Sequence, residues 1–137
     1  MADQSDIERL LVERLRAVVP AGVDLVEGDT PYTAQGGRSF ARFVVRVLMA
    51  TARNRRNAFA GDLVVSLFVP AGLGRAGTPD GDGVALGDAL ATAFRRRALA
   101  ADGVVVTTGI AIRRQALPDG PWVRVPVYVP FDAVAEA

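Results

Sequence analysis

Trp122-Val123-Arg124-Val125-Pro126-Val127-Tyr128-Val129-Pro130-Phe131 decides the fold class. Its odd positions are Val or Phe throughout, while its even positions are Trp, Arg, Pro, Tyr and Pro. A side-chain period of two marks a strand with one face in a core, so Val123, Val125, Val127, Val129 and Phe131 point inward. Pro126 has no amide to offer a ladder, which places this strand at a sheet edge or at a bulge.

Toward the N-terminus, Leu117-Pro118-Asp119-Gly120-Pro121 is a turn, and Gly103 opens a partner strand over 104–114. Ahead of it the spacing predicts a helix over 84–99, with Leu86, Ala89, Leu90, Ala93 and Phe94 as its apolar stripe. Arg95-Arg96-Arg97 then suit the negative end of that helix. Residues 70–83, with two prolines and five glycines, are expected to be a loop. A second hairpin precedes the loop. Phe43, Val45, Val47 and Met49 share one face of its first strand and Arg42, Val44, Arg46 and Leu48 the other. Its second strand covers about 59–69, with Leu63, Val65, Leu67 and Val69 together, and residues 52–57 form the turn on the left-handed tolerance of Asn54 and Asn57. At the start of the chain Ser5 and Glu8 form a capping box for a helix carrying Ile7, Leu10, Leu11, Leu15 and Val18, which Pro20-Ala21-Gly22 stops. Residues 23–39 read as loop with one short strand near 23–26. The order helix, hairpin, helix, hairpin predicts an α+β fold: a mostly antiparallel four- to five-stranded sheet packed with two helices, as one domain over 1–137.

What the composition lacks is equally informative. The 137 residues include no Cys, no His and no Lys, so all 16 basic residues are arginine. Zinc sites built on Cys or His, thiolate nucleophiles, imidazole bases, Schiff-base lysines and the P-loop lysine are thereby excluded. The serines, Ser5, Ser39 and Ser66, have neither His nor Lys to activate them. No enzymatic activity, cofactor or metal is expected. The N-terminus has no basic and apolar leader pattern, and no apolar run approaches the ~20 residues of a membrane helix, so a product made in the cytoplasm and without membrane attachment is expected. The net charge of +1 hides an asymmetry: residues 1–29 carry net −4, and the six arginines between Arg38 and Gly61 are accompanied by no acid.

Two motifs match only superficially. Gly72-Leu73-Gly74-Arg75-Ala76-Gly77 has the spacing of a dinucleotide-binding loop, but Pro79 and further glycines separate it from the next helix, and Asp102 precedes the following strand instead of ending it. Asp80-Gly81-Asp82-Gly83 begins like a calcium loop, yet Ala85 and Ala91 stand where Gly and a bidentate Glu are required. Arg53, Arg55 and Arg56, by contrast, cluster on a hairpin tip, where they could grip phosphates or an acidic protein surface. The second sheet face, bearing Val44, Leu48, Val64, Phe68, Trp122 and Tyr128, is too apolar for water; it is covered either by a helix or by another subunit.

The order of segments resembles the tail terminator proteins of long-tailed bacteriophages, the lambda-like tail-completion group with relatives in prophages and gene transfer agents. The resemblance lies in the amphipathic first helix, in Gly61-Asp62-Leu63-Val64-Val65 leading to Phe68-Val69-Pro70-Ala71-Gly72-Leu73-Gly74, in Leu86-Gly87-Asp88-Ala89-Leu90 with Phe94, and in Trp122-Val123-Arg124-Val125-Pro126-Val127 with Pro130-Phe131. The stretch 75–83 is longer than is usual in that family, and Glu27-Gly28-Asp29-Thr30 replaces the aromatic or Asn that relatives often carry before the proline. The resemblance implies a structural virion protein: a ring, usually a hexamer, that caps the head-proximal end of the tail tube, stops its polymerisation and offers the head-joining surface. DNA would pass through without specific binding. In this reading Arg53, Arg55 and Arg56 meet the tail tube or a head-completion (neck) protein, and Val44, Leu48, Phe68, Trp122 and Tyr128 form the subunit interface. Alternatives are another head–tail connector, or a nucleic-acid-binding module using the 53–56 hairpin.

Overall fold

Ile7, Leu10, Leu11 and Leu15 are spaced to lie on one side of a helix. In the computed structural model, which describes residues 4–34, 38–53, 55–70 and 79–136, they are the buried stripe of α1 (Gln4–Val18). The helix ends two residues before Pro20, and Val19 still donates to the Leu15 carbonyl at 3.0 Å. β1 (Asp24–Glu27) follows and lies parallel to the start of β2 (Phe40–Arg53), a pairing that alternation alone does not reveal.

β2 and β3 (Arg56–Pro70) form a long antiparallel hairpin. Its turn is tighter than the expected 52–57: Arg53 pairs with Arg56, Asn57 lies within β3, and Arg55 takes a left-handed φ of 64°, while Asn54 lies outside the described residues. The register shifts between Val47 and Met49. That bulge turns Met49 away from the face of Phe43, Val45 and Val47, where simple alternation places it, and leaves it 64% exposed. Gly61 sits opposite the bulge, and a Cβ there would lie 1.9 Å from the Arg46 carbonyl oxygen, so only glycine fits.

The second helix begins and ends earlier than its stripe indicates. α2 runs over Pro79–Phe94, so 79–83 belong to it and not to a loop, while 71–78, with the glycine motif, lie outside the described residues. Proline at a helix start and acids at positions 80 and 82 agree with helix-start preferences. Gly83 and Gly87 lower propensity but allow close approach to the sheet: a Cβ at either would lie 2.9–3.0 Å from a Val125 methyl. Arg95–Arg97 fall just past the helix end, where Arg97 Nε donates to the Ala93 carbonyl at 3.2 Å and Arg14 donates to the same oxygen at 3.0 Å.

β4 (Ala98–Ala101) takes the place of the last expected helical turn, and the expected strand over 104–114 is broken into β5 (Val104–Thr108) and β6 (Ile112–Arg113), with β7 (Leu117–Asp119) following. All three of these short strands pair with one edge of β8 (Trp122–Glu136), whose other edge pairs with β3 from end to end. β8 is therefore central, contrary to the expectation drawn from Pro126. The Pro126 and Pro130 carbonyls accept from the Arg114 and Gly109 amides at 2.8 Å, so both prolines turn their missing donors toward the gaps between the short strands. The result is an α+β fold with two helices and a mixed sheet of eight strands, not four or five, in the order β1-β2-β3-β8-β5-β4.

The helices pack on one sheet face. Leu90, Ala91 and Phe94 of α2 and the α1 stripe meet Leu63, Val65 and Leu67 of β3 and Val125 to Phe131 of β8 in a single cluster. Thr108, 2% exposed, is the buried polar residue of this region: its hydroxyl donates to the Phe94 carbonyl and accepts from the Arg97 amide at 2.8 Å, tying the end of α2 to β5.

Candidate functional site

The opposite sheet face carries neither helix, and the strand register sorts it into rows. One row is Val44, Val64, Tyr128 and Ile112; the next is Arg46, Asp62 and Pro130; beyond the bulge come Met49, Ala60 and Asp132, then Thr51, Ala58, Val134 and Val105. Val44, Leu48, Met49, Val105, Ile112 and Val134 are 40–70% exposed, so apolar side chains dominate this surface without cover from the described residues. Between them lies a bidentate pair, Arg46 Nε and Nη2 to the two Asp62 oxygens at 2.7 and 2.6 Å. The Asp62 carboxylate holds the Arg46 guanidinium even further above neutrality than usual.

One end of the face is closed off from within. Phe40, 6% exposed, stacks on Phe68 (4.6 Å between centroids, 9° between planes), receives Trp122 edge-on at 5.1 Å and touches Tyr32 at 4.9 Å. The segment over 28–34 is held over this cluster by polar contacts: Arg42 donates to the Gly28 and Thr30 carbonyls at 2.9 and 3.0 Å, and the Tyr32 hydroxyl donates to Asp24 at 2.7 Å. Arg38 donates to the other Asp24 oxygen at 2.6 Å. These two bonds, Arg38's first, hold the Asp24 carboxyl below its ordinary range, and the same carboxylate pushes the Tyr32 phenol up.

The five residues expected at a subunit interface therefore divide. Val44 and Leu48 are exposed, as an interface in the isolated chain demands. Phe68 and Trp122 already have a partner in Phe40, and Tyr128 lies under the Arg114 guanidinium at 5.5 Å. Phe40, Tyr32 and Met49 were missed. An aromatic at 32, 40, 68 and 122 is the signal that was available, but joining them required the β2–β3–β8 register. Of the arginine hairpin, Arg55 and Arg56 are exposed at the tip; Arg53 ends β2, and its side chain lies outside the described residues.

The sheet also has two open margins. β1 stops at Glu27, beside Phe43, and from Val45 onward β2 has no strand on that side among the described residues. A notch of about 450 Å³ at this point is lined by Glu8, Glu27 and Asp29 together with Phe43, Val44 and Val45. Its carboxylates do not converge as metal ligands, and no such cluster occurs among the described residues. β4 is the other margin, with exposed Arg95, Arg96 and Arg97 immediately before it. Among the described residues no helix is long and apolar enough to cross a membrane.

No family model and no curated protein matches the chain. Solved structures do resemble it: one, which carries no functional name, superposes at a TM-score of 0.74 with 17% identity, covering 97% of this chain and 96% of the other. At that identity the likeness establishes a shared fold across the whole length and nothing about activity.

Proposed function

We propose that the protein is a structural component of a phage-like particle, assembling as a ring, most simply a hexamer, that caps the head-proximal end of a tail tube, stops its polymerisation and presents the surface to which the head joins. The observation that carries this reading is the open sheet face, whose exposed Val44, Leu48, Met49, Val105 and Val134 the described residues leave for another molecule to cover. The resemblance of the ordered segments to tail terminators supplies the identity of the assembly. A chain without His, Cys or Lys is suited to a role made of surfaces.

In this reading Arg53, Arg55 and Arg56, at the far end of the long β2–β3 hairpin, contact an acidic surface of the tube or of the adjoining neck protein. A ring concentrates these arginines, and an acidic partner relieves their mutual repulsion. DNA has to slide through such a particle, which argues against arginines held on its phosphates. The test is capping: tail tubes polymerised with and without the protein are measured for length by electron microscopy and for binding by light scattering. Length control and co-migration with tubes are expected. Replacing the three arginines with serine is expected to weaken capping and reduce its salt dependence. Tubes of unrestricted length, with the protein remaining monomeric beside them, would refute the proposal.

A further inference from the structure

We infer that adjacent copies of the chain join edge to edge, β4 of one copy pairing in parallel with the open stretch of β2, from Val45 onward, in the next. This deepens the proposed ring and rests on that reading only for closure into a ring.

Three observations lead to it. First, the two margins of the sheet are both unpaired among the described residues and both suited to a strand. In β2, the Phe43 carbonyl accepts the Gly28 amide at 2.7 Å, so Phe43 turns its backbone groups outward, and by alternation Val45 does the same with no partner. Gly28, at φ 46°, turns the chain away and leaves this stretch clear. β4 is Ala98-Leu99-Ala100-Ala101, without charge, proline or bulge, which are the usual devices for keeping a sheet edge from recruiting another strand. Second, the margins lie at opposite ends of the strand order, so one contact joins unlike surfaces and leaves the joined pair with one free margin of each kind. Repeated by rotation, such a head-to-tail contact closes a ring. Third, their charges match in one orientation. A neighbour's β4 running parallel to β2 takes up the line of β1 where β1 stops, bringing its Arg96, and Arg95 beyond the long 3.4 Å bond it makes to its own Ala111 carbonyl, against Glu27 and Asp29. In the antiparallel sense Asp102, at the other end of β4, 84% exposed and only loosely opposed by Arg9 at 3.7 Å, would meet those acids instead, and like charges would oppose the pairing. The small side chains of Ala98 and Ala100 leave room for Leu48, 70% exposed at the bulge. One four-residue strand pair is a small contact by the standard of stable interfaces, so a single joint dissociates readily and gains persistence when the ring closes.

The absence of native cysteine allows a direct test. Full-length Leu48→Cys and Ala100→Cys variants, each with one thiol at an exposed position, are mixed at high concentration under mild oxidation. The mixed disulfide is expected to exceed either self-disulfide several-fold. Adding Glu27→Arg and Asp29→Arg to the first variant, or Arg95→Glu and Arg96→Glu to the second, is expected to cut the mixed product several-fold, and combining the two sets is expected to restore it. A yield no higher than that of an Ala100→Cys and Val105→Cys control pair, a dominant Leu48 self-disulfide, or no restoration by the paired charge reversal would each overturn the inference. Circular dichroism of every variant establishes that it is folded. Capping that persists when the charge reversals abolish the disulfide would sink the edge contact and leave the proposed function standing; a specific mixed disulfide in a protein that fails to cap tubes would do the reverse.

Discussion

On the helix-covered face, β3 and β8 set Leu63, Val65 and Leu67 against Val129, Val127 and Val125, none more than 1% exposed. On the other face the same strands set Val64 and Asp62 against Tyr128 and Pro130, and the neighbouring Leu48 and Met49 stand 70% and 64% exposed. Hydrophobicity differs between the faces less than burial does. What separates them is that both helices chose the face where residues alternate without interruption, and where Gly83 and Gly87 let α2 settle against Val125. The open face interrupts its apolar rows with Arg42, Arg46, Asp62 and Asp132, charged groups whose desolvation a covering helix of this chain would have to offset.

The largest effect that sharpens the contrast comes from matched truncations. Phe94, 1% exposed at the end of α2, fills the space between helix and sheet. Phe94→Ala is expected to cost ~3–5 kcal/mol in urea unfolding. Leu48→Ala removes a comparably apolar side chain from the open face and is expected to change monomer stability by less than about 0.5 kcal/mol. A similar cost for both would mean that the open face is covered in solution.

Thr108→Val comes next. The substitution keeps the shape but deprives the Phe94 carbonyl of its donor and the Arg97 amide of its acceptor, both at the joint of α2 and β5. The expected loss is ~1–3 kcal/mol, the cost of leaving buried polar groups unsatisfied. Thr108→Ser retains the hydroxyl and should recover most of it. Equal losses in the two variants would show that the hydroxyl alone does not carry the effect.

Much of the helix-covered face was legible because a period of two survives any change of register: Val123 to Phe131 and Leu63 to Val69 were read correctly from alternation alone. The bulge was not, since one extra residue at Leu48 carries no local composition mark, and Gly61 declares its purpose only when Arg46 is placed across from it. Pro126 was misread as the sign of an edge or a bulge, and Pro130, from which nothing was drawn, behaves as Pro126 does. They do mark a broken ladder, on one side of a strand whose other side is fully paired. Helix α2 was shifted because its early glycines resemble a loop, and their packing role against Val125 depends on a strand some forty residues later. The Phe40 cluster was beyond reach for the same reason: its members come from four separate segments.

A smaller and local effect concerns the closed end of the open face. Because Arg38 and Tyr32 hold the Asp24 carboxyl low in the folded chain, ionised Asp24 contributes stability above its unfolded value of about 3.9, and that contribution is lost as pH falls through the lower folded value. Acid is therefore expected to release Tyr32 from Phe40 before the helix-covered core responds. Nuclear magnetic resonance shifts of the Tyr32 ring, followed below pH 4, report it, and Asp24→Asn should abolish that titration. Simultaneous loss of the Tyr32 and Phe94 signals would show that the two faces do not respond separately.

The smallest effect tests the open face at its centre. Arg46 and Asp62 are register partners on β2 and β3, joined by two short hydrogen bonds, and geometry alone would class them as a strong pair. The arginine side chain is nevertheless 49% exposed and the aspartate 17%, so water and salt screen their attraction. A double-mutant cycle with Arg46→Ala and Asp62→Ala should give only a weak coupling in the monomer, falling further as salt is raised. Packing of the arginine stem across the strands contributes to the single mutants but cancels from the coupling. A strong coupling that resists salt is the mark of a desolvated pair. In dilute protein it would contradict the open face directly; appearing only at concentrations where copies associate, it would instead place this pair beneath a neighbouring subunit.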